Sequence, residues 1–215
     1  MMQELSRSSK AGKNLRPGKI SRVDGSVLHL LHRTIRHMDA HSDVTFSLLR
    51  EAFSRLDLPH DHRVLKTTID FGRIIGRTAK VETDEIAPTD VVQFAYRHGR
   101  RYPSRVILDQ AKSSTTEMTV VINRSPKFGP DQWELETAYL GSDAPLEPLG
   151  SRAIKANPDT KAQIVAFWCR HALIYSFEEY ATEPFYSSWA DLCDRREQLG
   201  PDNGFPEGGP YWLGR

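Results

Sequence analysis

Apolar residues recur along this chain with two different periods, and the change from one to the other divides it. Near the start the period is helical. From Ser26, a candidate N-cap, Val27, Leu28, Leu31, Ile35 and Met38 fall on one face and predict a first helix. A second is predicted over 46–56, where Leu48, Leu49, Ala52, Phe53 and Leu56 recur before Asp57-Leu58-Pro59 ends the run. From Val64 the character changes: Val64, Thr67, Thr68, Ile69 and Phe71 favour a strand, and Gly72 and Gly76 allow tight turns. Pro88-Thr89-Asp90 predicts a helix through His98 that buries Val91, Val92, Phe94 and Ala95 and stops at Gly99. Strands follow over 104–108, 116–122 and 133–140, with a Pro/Gly loop over 123–131. In the last strand Trp133, Leu135, Thr137 and Tyr139 alternate with Glu134, Glu136 and Ala138, so the first set is expected to share one face. The stretch 160–175 predicts a buried helix or a helix-to-strand join.

Helices followed by a run of strands predict an α+β fold, with N-terminal helices packed on a mostly antiparallel sheet of four to five strands. The expected organisation is a flexible basic arm over 1–24, then a single domain over 25–182. That domain comprises a helical hairpin (25–57) and a core (64–175). A Pro/Gly/aromatic-rich tail over 183–215 is expected to pack on it.

Composition narrows the chemistry. A chain of 215 residues with 39% hydrophobic and 27% charged residues suits one substantial globular domain. The formal net charge of +1 supplies no global field, so only local clusters of charge point to a partner. One cluster is Arg97, Arg100, Arg101 and Arg105, with no acid among them; another is the arm, where Arg7, Lys10, Lys13, Arg16, Lys19 and Arg22 face Glu4 and Asp24. Cys169 and Cys193 have no metal-ligand spacing and are expected to be free thiols. No apolar run approaches the ~20 residues of a membrane span. The start lacks the apolar core of a signal peptide. A cytoplasmic protein with no membrane partner and no cofactor is the expectation.

Most histidines lack supporting groups. His37 and His41 share a helical face at i, i+4, but no third metal ligand and no His-Glu-x-x-His pattern accompany them. His60-Asp61-His62 lies in a loop without the further ligands of a metal phosphohydrolase, and His32-Arg33-Thr34 is half of a paired phosphoesterase signature with no second copy. No phosphate-cradling glycine loop, dinucleotide fingerprint or nucleophile elbow occurs. His171 differs, because it follows Phe167-Trp168 and precedes Ala172-Leu173-Ile174. An imidazole titrates near neutrality and suits either proton step of metal-free RNA cleavage. Guanidinium groups at 97, 100, 101 and 105 suit the phosphate.

The motifs Thr68-Ile69-Asp70-Phe71-Gly72, Gly76-Arg77-Thr78, Val81-Glu82-Thr83, Arg97-His98-Gly99-Arg100, Thr137-Ala138-Tyr139-Leu140-Gly141 and Glu147-Pro148 carry a resemblance, completed by Phe167-Trp168 and His171-Ala172-Leu173-Ile174. Together, over 64–175, they resemble a set of uncharacterised small bacterial proteins. The Thr-Ala-Tyr strand and neighbouring histidine resemble the BECR-fold toxin ribonucleases, relatives of barnase, EndoU, colicin and RelE. The resemblance implies helices on a four- or five-stranded antiparallel sheet, with a metal-free site of His, Arg or Lys, Ser or Thr, and Tyr on the sheet face. This chain departs from the pattern in having Leu149 after Glu147-Pro148, and in lacking a His directly before the strand at Thr67. The general base then falls to His60, His62 or His171.

The expectation is therefore a toxin-like, metal-independent endoribonuclease with His171, Tyr139, Thr137 and Arg97 catalytic, and Arg100, Arg101, Arg105 and His62 binding substrate. RNA is its expected partner, with an antitoxin or immunity protein as a second. Two alternatives belong to other classes: a non-catalytic RNA- or protein-binding protein of phage or defence origin, and an ADP-ribosyltransferase-like enzyme.

Overall fold

The structure is a computed structural model, and it describes residues 15–38, 43–59, 62–84, 87–88, 90–95, 104–108, 110–148, 151–175 and 185–186. The protein is α+β. It divides into two compact units, each assembled from two stretches of chain: Met1–Gly76 with Thr116–Leu140, and Arg77–Thr115 with Gly141–Arg215. The sequence suggests one domain over 25–182, because each chain crossing falls within the short stretches 76–77, 115–116 and 140–141, which carry no linker composition. Among the described residues no helix is long and apolar enough to cross a membrane.

The first unit is built on five strands: β1 (Gly18–Ser21), β2 (Val27–Leu30), β3 (Val64–Asp70), β9 (Glu117–Arg124) and β10 (Gln132–Leu140). They form one sheet in the order β1-β2-β10-β9-β3. All neighbours are antiparallel except β2 and β10, which run parallel. Two sequence expectations are corrected here. The stretch 1–24 contains β1, and the helix expected from Ser26 begins only at His32. Val27-Leu28-His29-Leu30 pairs with β1 around the turn at Asp24-Gly25, and backbone pairing within a buried sheet outweighs a weak helical period.

Helix α1 (His32–Met38) continues the path of β2 along β10, whose ladder with β2 stops at Glu134. There α1 satisfies the strand edge with side chains. Thr34 Oγ1 donates to the Leu135 carbonyl at 2.8 Å, and the Ala138 N–H donates to Met38 Sδ at 3.3 Å. Helix α2 (Phe46–Arg55) is capped by Thr45, whose hydroxyl accepts the Leu48 N–H at 3.2 Å. Leu49, Ala52 and Phe53 of α2 join Leu28, Leu30, Met118, Ile122, Trp133 and Leu135 in one apolar core.

The second unit holds β5 (Lys80–Glu82), β6 (Gln93–Ala95), β7 (Ser104–Leu108), β11 (His171–Tyr175) and β12 (Phe185–Tyr186). Their sheet runs in the order β12-β6-β7-β11-β5. β7 and β11 are parallel; the other pairs are antiparallel. β4 (Gly76–Thr78) and β8 (Ser113–Thr115) form a separate two-stranded ribbon. The helix expected over 88–98 is corrected, since Gln93-Phe94-Ala95 is a strand paired with β7. Of its four apolar residues Val92, Phe94 and Ala95 are buried as expected, packing from a turn and a strand, whereas Val91 is exposed. Helix α3 (Ser151–Ile154) precedes α4 (Pro158–Cys169), which starts with Pro158 after the Asn157 cap. The α4–β11 pair is the helix-to-strand join expected over 160–175.

Gly141 shows a local constraint of this unit. Its φ of +105° is a conformation that side chains rarely adopt, and a Cβ there would lie 2.5 Å from Thr78 Oγ1. Gly141→Ala should destabilise the fold by about 1–3 kcal/mol, the usual range for backbone strain of this kind. Denaturant unfolding of the variant beside wild type checks it.

Candidate functional site

A single extra residue in β10 decides which side chains share a face. The pairing of β10 with β9 runs Trp133↔Arg124, Glu134↔Asn123 and Leu135↔Ile122, then shifts, resuming at Thr137↔Val121, Ala138↔Val120 and Tyr139↔Thr119. Glu136 is the bulged residue. Strict alternation would have put Trp133, Leu135, Thr137 and Tyr139 together; the bulge separates them. Trp133, Leu135, Ala138 and Leu140 face the core, while Glu134, Glu136, Thr137 and Tyr139 lie on the opposite face. Glu136 accepts a hydrogen bond from Asn123 Nδ2 at 2.8 Å on that outer face.

The neighbouring strands extend this polar face. Val121 pairs with Lys66 of β3, and Thr119 pairs with Thr68, whose hydroxyl lies 2.9 Å from that of Thr119. Two rows result: Thr137, Val121 and Lys66 in one, Tyr139, Thr119 and Thr68 in the other. α1 adds residues from the side. His37 Nε2 lies 3.0 Å from Thr137 Oγ1, and Arg33, one turn earlier, binds Glu134 at 2.5 Å. One turn of helix thus presents an imidazole and a guanidinium to the same face.

Glu134 ties this region together. It is buried, and its carboxylate receives Arg33, Lys127 at 2.7 Å and the Ser125 hydroxyl at 2.5 Å. Burial alone would push its pKa up. The hydrogen bonds from Lys127 and Ser125 and the charges of Lys127 and Arg33 outweigh that and hold it below the ordinary 4.5. A depressed folded pKa contributes stability that is present above the ordinary value and disappears as pH falls through the folded one. Glu134→Gln should therefore be less stable than wild type near neutrality. The gap should close on acidification below the ordinary carboxylate range, as followed by urea unfolding at successive pH values.

The second unit holds the other expected residues. His171 opens β11, directly after α4. Its ring stacks on Phe167 with centroids 3.9 Å apart, and Nδ1 lies 2.8 Å from the Phe167 carbonyl. That carbonyl can only accept, so a neutral ring carries its proton on Nδ1 and leaves Nε2 basic. Glu82 stands opposite His171 across the antiparallel β5–β11 pair.

Arg105 is expected from its charge to bind phosphate, and its surroundings give it a structural part. Nη1 donates to the carbonyls of Cys169 at 2.8 Å, Trp168 at 3.3 Å and His171 at 3.4 Å, and to the Thr83 hydroxyl at 2.7 Å. The Trp168 and Cys169 carbonyls are orphans at the end of α4. Burial lowers the guanidinium pKa, opposed by the negative charge that Cys169 carries when ionised. In the adjoining strand position, the buried Ser104 hydroxyl donates to Glu147.

The expected residues therefore fall into two groups. Thr137 and Tyr139 share the outer face of the first unit's sheet, and His62 is exposed just before β3 in the same unit. His171 and Arg105 belong to the second unit. Arg97, Arg100 and Arg101 lie outside the described residues. Two further residues on or beside this outer face, His37 and Lys66, are not among the expected site residues. On sequence alone His37 figures only in a pair with His41 that is set aside for want of a third metal ligand, although its place one turn after Arg33 is visible there. Among the described residues no cluster of three or more His, Cys, Asp or Glu could hold a metal ion. No protein-family model, curated protein or solved structure matches the chain.

Proposed function

We propose that the outer face of the first unit's sheet is an RNA-cleaving site that works without metal. One observation carries the reading: His37 Nε2 sits 3.0 Å from Thr137 Oγ1 on a face that also presents Tyr139 and Lys66. In the reaction a base removes the proton of a ribose 2′-hydroxyl, and the oxygen attacks the adjacent phosphorus. The bond to the 5′-oxygen breaks, and an acid protonates that oxygen, leaving a 2′,3′-cyclic phosphate and a 5′-hydroxyl. His37 exchanges the proton, with Thr137 and Tyr139 orienting the phosphate. Lys66 stabilises the charge that develops on it. Thr137 and Lys66 stand two strands apart, about 10 Å between backbones, with only Val121 between them.

The α+β make-up of the first unit, with a mostly antiparallel sheet and His, Lys, Thr and Tyr brought to one face, supports the reading. The arginines at 97, 100 and 101 keep their assignment as phosphate binders. A toxin of this kind also needs a neutralising antitoxin or immunity protein.

A second reading places the proton transfer at His171 in the other unit, and it is favoured by the Nδ1 contact that fixes the ring with Nε2 basic. Purified protein incubated with total RNA in EDTA separates them. Loss of cleavage in His37→Ala with activity kept in His171→Ala supports the first; the opposite pattern supports the second. Absence of cleavage by wild type removes both. Salt-sensitive RNA binding without turnover then points to the non-catalytic alternative, and a mass shift on a target protein given NAD points to the transferase.

A further inference from the structure

We infer that β3 is a self-association edge, pairing antiparallel with β3 of a second copy of this chain about a two-fold axis at Thr67. The other strand edges of the first unit are blunted. β1 is only four residues long, follows Pro17 and carries Lys19, and the free length of β10 is covered by α1. β3 differs. It runs seven residues without proline, pairs with β9 in unbroken register, and has no strand on its other side among the described residues. Val64 is 50% exposed, and Lys66 and Asp70 are exposed too. Arg55 Nη1 donates to the Asp70 carbonyl at 3.2 Å at one end of this edge, and a second strand would take over that contact. A long, regular edge of this kind is a template for another strand.

The sequence of β3 selects the occupant and the register. With the axis at Thr67, all seven residues pair: Val64 with Asp70, Leu65 with Ile69, Lys66 with Thr68, and Thr67 with itself. On the core side Leu65 and Ile69, each only partly buried against the core, cover one another twice across the axis. On the outer side Lys66 meets Asp70 of the other copy diagonally, again twice, within reach of a long side chain. Moving the axis to Lys66 sets two lysines face to face and shortens the ladder to five pairs. Moving it to Thr68 also leaves five pairs and sends Leu65 past the strand end. The Thr67 axis combines the longest ladder with matched apolar and charged pairs.

Light scattering after size exclusion, together with sedimentation, tests the proposal on the full chain. Wild type should approach twice the 24.4 kDa chain mass as concentration rises. Lys66→Asp sets a carboxylate diagonally against Asp70 of the other copy and should shift the protein to monomer. Adding Asp70→Lys should restore the dimer. Because Asp70 also accepts the Gly72 N–H, an independent variant is needed. Thr67→Cys should form an intermolecular disulfide on mild oxidation, since opposed strand residues lie within disulfide reach. A wild type that stays monomeric at every concentration overturns the proposal. So does a dimer that survives Lys66→Asp and gives no cross-link through position 67.

Discussion

His37→Ala should lower the rate of RNA cleavage by about 10²–10⁴-fold, the usual worth of one positioned proton-transfer group. At 1.36 kcal/mol per tenfold, that is about 2.7–5.4 kcal/mol of barrier. The loss should fall on kcat, with KM little changed, because the proton moves only in the transition state and the ground-state phosphate is held by other groups. Single-turnover kinetics on a short defined RNA would read this directly. Thr137→Val is the control for position: it keeps the shape of the strand and removes the hydroxyl 3.0 Å from Nε2. Its effect should be smaller than that of His37→Ala. If His37→Ala cleaves as fast as wild type, the imidazole has no part in the chemistry.

Trp133→Ala should destabilise the first unit by about 3–5 kcal/mol, the range for deleting a large buried aromatic side chain. Trp133 is 1% exposed and heads the fully buried side chains by volume. Its ring lies in the core that the sheet and α2 share, and the Arg124 guanidinium lies 5.2 Å from its centroid. Alanine removes the apolar surface and leaves a cavity. It also strips the guanidinium of its ring contact. The loss is a large share of the ~5–15 kcal/mol by which domains are stable, so the variant should have a much lower denaturation midpoint. A midpoint within experimental error of wild type would mean that the core does not depend on this ring.

The periodic apolar segments are largely legible in the sequence. α2, β3, β7, β9 and β10 lie within a few residues of their expected spans, because each carries a strong local period together with a cap or breaker that ends it. Val27–Leu30 and Gln93–Ala95 depart from expectation for one physical reason. Both are short apolar runs, which fit a helix and a strand equally well, and strand pairing settled the choice: Val27–Leu30 lies between β1 and the distant β10, and Gln93–Ala95 pairs with β7.

The candidate site divides the same way. The residue types are visible: a Thr and a Tyr two apart, a histidine after Phe167-Trp168, a cluster of arginines. Their groupings are not. One inserted residue at Glu136 turns Thr137 and Tyr139 away from Trp133 and Leu135, and no local pattern announces it, since a strand with a bulge and one without share the same composition. Arg105, named for its charge, is directed at the end of α4, because carbonyls far along the chain needed a donor. By itself the sequence determined the class of fold, most of the elements and the kinds of side chain available, since these follow from local periodicity and composition. Only tertiary structure decided that His37 meets Thr137 and that Lys66 joins their face. Contacts between residues so far apart in the chain, His37 with Thr137 and Lys66 with Val121, depend on register and edge packing, which local periodicity does not encode.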